Sequence, residues 1–211
     1  MARTMRRRRL LITGSALTVA LAAAAWFLTP PLSPPSYRGE RPELQEDGYV
    51  SRTHSVFVDA TPAAVHAWVN DPAITLEDLV DFDEGEPAVI GTTPLAGSEE
   101  TGQRAGFRRR VEFEDGHYLA EEMLVDTEER FQYMVWGFTR PAQRIAVRHG
   151  VAEFTYLPEG DGTRVNWTYS LLPTAGVLRS SVESFLDSTM DPMMTATLEG
   201  IRQGVESESA S

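Results

Sequence analysis

Between residues 177 and 205 apolar side chains recur at Leu178, Val182, Phe185, Leu186, Met190, Met193, Met194, Leu198 and Ile201. Gaps of three and four are the helical period, so this stretch predicts one long amphipathic helix. Pro192 falls inside it, where the lost hydrogen bond costs about 3 kcal/mol in a straight helix. Met190, Met194, Leu198 and Ile201 keep the phase across it, which predicts a kink. Asp191-Pro192 as a cap-and-start pair for a separate helix is the alternative.

Upstream the pattern changes to short strands. Residues 49–59 alternate in part and end in Val56-Phe57-Val58, a first strand. Thr61 then caps a helix with Pro62 at its first position and Val65, Trp68 and Val69 on one face. A second short helix follows, with Thr75 and Asp78 at capping-box spacing and Ile74 and Leu79 placed as a hydrophobic staple. The acidic residues 81–86 read as a solvated loop. Further strands are expected at residues 87–93 and 103–113, the latter meeting Asp115-Gly116, a two-residue hairpin signal. Residues 117–126 and 130–138 continue the series. A last hairpin joins residues 144–156 to 163–172 across Glu159-Gly160-Asp161-Gly162. In its second strand Val165, Trp167, Tyr169 and Leu171 alternate with Arg164, Asn166, Thr168 and Ser170, which predicts one buried and one wet face. The order of elements gives an α+β domain with a single antiparallel sheet, whose apolar face the last helix covers.

The first 48 residues have a different character. Residues 10–28 are nineteen without a charge, about 28 Å as a helix and close to the hydrocarbon thickness of a bilayer. Five arginines in residues 1–9 should stay cytoplasmic and put the rest of the chain outside. The competing expectation is a signal peptide cleaved near the small residues Ala22 to Ala25. The apolar run continues through Trp26, Phe27 and Leu28, which favours a retained anchor. Residues 29–48 hold Pro30, Pro31, Pro34, Pro35 and Pro42 and predict an extended linker, up to roughly 60 Å long, that keeps the domain clear of the membrane. The folded domain is expected over residues 49–205, with a disordered tail at 206–211.

Composition narrows the chemistry. All nineteen basic residues are Arg, and there is no Cys. Schiff-base lysines, thiol nucleophiles, thiolate metal sites and P-loops are therefore excluded. The part after residue 28 carries 14 Arg against 31 acids, a net −17 that repels nucleic acid and anionic headgroups. His54, His66, His117 and His149 show no metal-ligand spacing. No nucleophile elbow or cofactor motif appears, and none is expected. Asn166-Trp167-Thr168 fits a glycosylation acceptor but lies within a strand.

Three stretches resemble the START-like (SRPBCC) superfamily, which includes polyketide cyclases, plant ligand-binding allergens and lipid-transfer domains. They are residues 56–68 (Val56-Phe57-Val58-Asp59-Ala60-Thr61-Pro62 through Trp68), Glu122 with Arg130-Phe131-Gln132-Tyr133, and Gly162-Thr163-Arg164-Val165-Asn166-Trp167. The resemblance implies a helix-grip fold: a curved antiparallel sheet of six or seven strands gripping the C-terminal helix, with an apolar cavity between them. A hydrophobic small molecule or lipid is then the expected partner. Candidate ligand-binding residues are Trp68, Tyr118, Glu122, Tyr133, Trp136, Trp167, Tyr169, Phe185, Met190, Met193 and Met194. Phe131 belongs to the same aromatic concentration.

Glu121 and Glu122 are adjacent in a strand, so one faces inward and the other outward. An inward carboxylate could serve as acid or base with Tyr133, or pair with an Arg. Three functions are therefore weighed: a membrane-tethered, extracytoplasmic binder or carrier, which leads; a cyclase- or dehydratase-type enzyme using Glu121 or Glu122; and a partner-binding domain with a filled interior.

Overall fold

The computed structural model describes residues 28–71, 73–79 and 87–209. The anchor or signal expected before residue 28 and the acidic loop at 81–86 lie outside them. No helix among the described residues is long and apolar enough to cross a membrane.

Strand β1 (Val50–Val58) is followed by helices α1 (Pro62–Val69) and α2 (Leu76–Leu79). Next come β2 (Val89–Ala96), β3 (Arg108–Phe113), β4 (Tyr118–Asp126) and β5 (Arg130–Trp136). A short helix α3 (Pro141–Ala146) leads into the long hairpin of β6 (Val147–Glu159) and β7 (Gly162–Pro173). Every pairing is antiparallel, and the seven strands lie in the order β1-β7-β6-β5-β4-β3-β2. Register shifts between Met123 and Val125 and along β2 bend the strands, as bulges do, and help cup the sheet.

The C-terminal element begins with a 3-10 turn (Gly176–Leu178), continues as α4 (Arg179–Phe185) and a π turn (Leu186–Met190), and runs on as α5 (Asp191–Ser209). Pro192 is absorbed without a break. The Asp191 N–H donates to the Leu186 carbonyl, five residues back, and Asp191 keeps right-handed helical angles. The wider turn just before the proline makes room for a ring that would otherwise collide with the preceding turn. α5 also extends into the expected tail, where Glu206 accepts from Arg202 and from the Asp59 N–H.

Val182, Leu186, Met190, Met193, Met194, Leu198, Ile201 and Val205 are buried against the sheet's concave face, one core with Val165, Trp167, Tyr169 and Leu171 of β7. α1 closes one side. Thr61 Oγ1 caps it by accepting from the Ala64 N–H, and Trp68 lies so close to Gly204 that any side chain there would collide with the indole, at 2.0 Å from a built Cβ.

Four expectations are corrected. β3 starts at Arg108, because residues 103–107 form a turn in which Phe107 N–H donates to the Arg104 carbonyl. The β3–β4 connection has three loop residues: Phe113 N–H donates to the His117 carbonyl, and only Gly116 takes a positive φ, 77°. A two-residue type I′ turn needs a second left-handed residue, which Asp115 does not supply. Residues 141–146 are helical, with Pro141 at the first position.

The fourth correction concerns residues 29–48. They are extended, as the prolines dictate, but they lie on the domain as a strap across the convex face. Tyr37 Oη donates to the Gly137 carbonyl at 2.7 Å, Arg108 Nη1 to the Tyr37 and Gly39 carbonyls, and Arg110 Nη1 to the Pro35 carbonyl. Beneath the strap Ala120, Met134 and Trp136 form a second apolar cluster with Tyr37, so this face is not simply wet.

Candidate ligand cavity

The space between sheet and C-terminal helix is not filled. A compartment of about 120 Å³ lies under Val135, Trp167, Tyr169 and Leu171, closed on the helix side by Phe185, Met190 and Met193. It reaches the upper end of the sheet, where the β3–β4 turn and α3 contribute His117, Arg140 and Gln143. A larger compartment of about 780 Å³ extends toward α1 and α2, bounded by Arg104, Phe131, Phe154, Tyr156 and Ile201. Glu121, Tyr133 and Trp167 line both, so they form the wall between the two.

That wall carries the polar chemistry. Glu121 is buried, and its partner across the ladder is Arg109, whose Nε donates to Oε1 at 2.8 Å. The Tyr133 and Tyr169 phenols are driven well above their usual pKa by burial, with Glu121 nearby adding to the effect. Both therefore remain protonated donors, and neither hydroxyl has a hydrogen-bond partner among the described residues. The Trp167 ring stacks on Phe154 at 4.6 Å, yet its Nε1 N–H is buried without a partner. Gln143 Oε1, at the edge of the smaller compartment, is a second orphan. Such groups cost about 1–3 kcal/mol each when nothing satisfies them.

The far end of the larger compartment is held by Asp126. Arg104 donates to both its oxygens, and the Gly102 and Arg104 N–H groups add two further bonds. Burial alone would raise the Asp126 pKa, but these donors hold it below the ordinary value. Arg104 also donates to Asn70 Oδ1 and lies 4.7 Å over the Phe131 ring, tying α1 to β5.

Of the residues expected at a ligand, the structure gathers Tyr133, Trp167, Tyr169, Phe185, Met190 and Met193 at the cavity, with Phe131 in the larger compartment and Tyr118 bordering the smaller one under the Arg110 guanidinium. Four are placed elsewhere. Glu122 and Trp136 face the strap, since even steps along a strand share a face and Glu121 points inward. Trp68 packs on Gly204, and Met194 is buried solidly in the core. Arg109, Arg104, Asp126 and Gln143 were not anticipated. The first of these was recoverable: once the three-residue turn at Asp115 is placed, counting back along both strands sets Arg109 opposite Glu121.

A curved antiparallel sheet closed by a long C-terminal helix over a lined cavity defines the helix-grip class. The model of the polyketide cyclase/dehydrase and lipid transport family matches residues 49–206, and the chain belongs to that family. Solved structures show the same fold at low identity. Norcoclaurine synthase from Thalictrum flavum matches with a TM-score of 0.58 and 17% identity, covering 76% of this chain and 96% of that one. The di-domain aromatase/cyclase StfQ of steffimycin biosynthesis matches with a TM-score of 0.56 and 10% identity, over 77% of this chain and 53% of its own. Ara h 8.0201 gives 0.53 and 14%, over 76% and 99%. No curated protein matches in sequence.

Proposed function

We propose that the domain binds or carries an apolar organic molecule bearing at least one hydrogen-bond acceptor, held between the sheet and α5. The observation that carries this reading is the Trp167 N–H: buried, unpartnered, and set in the wall shared by two compartments. A guest carbonyl or ether oxygen would satisfy it, with Tyr133 and Tyr169 as further donors. The Met and aromatic lining would fit the apolar remainder, since thioethers adapt to irregular shapes. The uncharged residues 10–28 support attachment to a membrane with the domain on the extracytoplasmic side.

Native mass spectrometry of the full chain extracted in mild detergent tests the reading. A co-purifying organic molecule is expected, and Trp167→Phe should lower its affinity about tenfold, the equivalent of one hydrogen bond. An empty cavity under all extraction conditions would sink the proposal.

Glu121 beside Tyr133 favours a second reading, acid–base turnover of the bound molecule. Its direct pairing with Arg109 supports a structural role instead. Glu121→Gln separates them: enzyme activity requires turnover to vanish while the guest is still bound.

A further inference from the structure

We infer that the upper end of the domain is seated on the bilayer that the chain itself enters, so that the smaller compartment faces lipid. The inference rests on the tethered reading above and on three observations of the structure.

The first is where the strap begins. Pro30 lies against Gly116 of the β3–β4 turn, 3.3 Å from a built Cβ, and Arg110 fixes Pro35 to the same strand pair. Leu28 is two residues before Pro30, no more than about 7 Å of chain. The anchor would therefore leave the domain at the end where β2, β4 and β6 start and β3, β5 and β7 finish. A free linker of twenty residues would impose no orientation; a docked strap does.

The second is what that end exposes. Leu28 and Leu32 on the strap are 63% and 100% exposed, and Ile145 of α3 and Val177 after β7 are 51% and 88% exposed. Thr174, three residues before Val177, fastens the chain after β7 to the end of α3, its N–H donating to the Ala146 carbonyl and its hydroxyl to that of Ile145. One segment at this end is locally basic, although Glu114 and Asp115 of the β3–β4 turn lie beside it. Residues 137–152 contain Arg140, Arg144 and Arg148 and no acid, and Arg140 occupies Asp115. Apolar tips backed by arginine suit the boundary of headgroups and acyl chains.

The third is the cavity. Its smaller compartment reaches the same end, bounded by His117, Arg140 and Gln143.

Because the chain has no Cys, single labels are straightforward. The full chain is reconstituted in vesicles of phosphatidylcholine, with an environment-sensitive fluorophore at Ile145→Cys, Val177→Cys or Leu157→Cys. Nitroxide on the lipid acyl chains should quench the first two almost fully and leave the third bright, because β6 holds Leu157 about 30 Å away. Ile145→Glu should abolish quenching at Val177→Cys with the circular dichroism unchanged. Equal quenching at both ends overturns the inference, as does cross-linking between copies through Ile145→Cys without quenching, which would make this end a self-association surface. Recovery of the protein in the aqueous fraction without its first residues also overturns it. A co-purified guest with no quenching defeats the orientation alone, whereas quenching with an empty cavity defeats the binding proposal alone.

Discussion

Two ion pairs sit side by side on β3 and β4 and have opposite surroundings. Arg109–Glu121 points into the cavity, while Arg108–Glu122, one residue along each strand, points under the strap. Their carboxylates are almost equally shielded, at 7% and 12% exposure, so burial does not distinguish them. The partners do. Glu122 also takes Arg41 at 3.0 Å, and Arg108 is shared with two strap carbonyls, so the outer pair fastens the strap. The inner pair has an apolar space beside it. The same two residue types thus close the domain on one face and furnish a ligand wall on the other.

The largest effect should come from breaking the inner pair by leaving its cation alone. Glu121→Ala strands Arg109 against apolar walls and should cost about 3–5 kcal/mol in chemical denaturation. If the loss is much smaller, water already fills the compartment. Asp126→Ala should cost about 3 kcal/mol by stranding Arg104, and it carries a pH signature. The folded pKa of Asp126 lies below its ordinary 3.8, so its contribution is complete above the unfolded value and is lost as pH falls through the folded one. An acid titration of stability should flatten in Asp126→Asn over that window.

On the outer face Glu122→Ala should cost less, about 1–2 kcal/mol, because a loosened strap lets water reach Arg41 and Arg108. Limited proteolysis should then rise at residues 30–41 and not in β7. Tyr37→Phe is the smallest step, about 1 kcal/mol from one lost bond to Gly137. No change in proteolysis in either variant would mean that the strap is not held by these contacts.

The legible parts of the fold were those with a period. The alternation in β7 and the three–four spacing of the last helix each assign a buried face without reference to any other element, and both faces are where the pattern put them. The inner-versus-outer split of Glu121 and Glu122 was equally readable; which of them was inward was not, because that depends on which face of β4 the helix covers. The strap escaped notice because its fastening is made by side chains more than sixty residues away, onto its backbone carbonyls. A proline-rich polar stretch has the same composition whether it is docked or free.

By itself, then, the chain determined its elements, their order and the apolar arc of its last helix, since these follow from local spacing and turn chemistry. Only the tertiary structure decided that the core stops short of filling, that Trp167 keeps an unsatisfied N–H there, and that the strap fixes one end of the domain beside the N-terminal segment. Those features arise from contacts between residues far apart in sequence, and no local pattern encodes them.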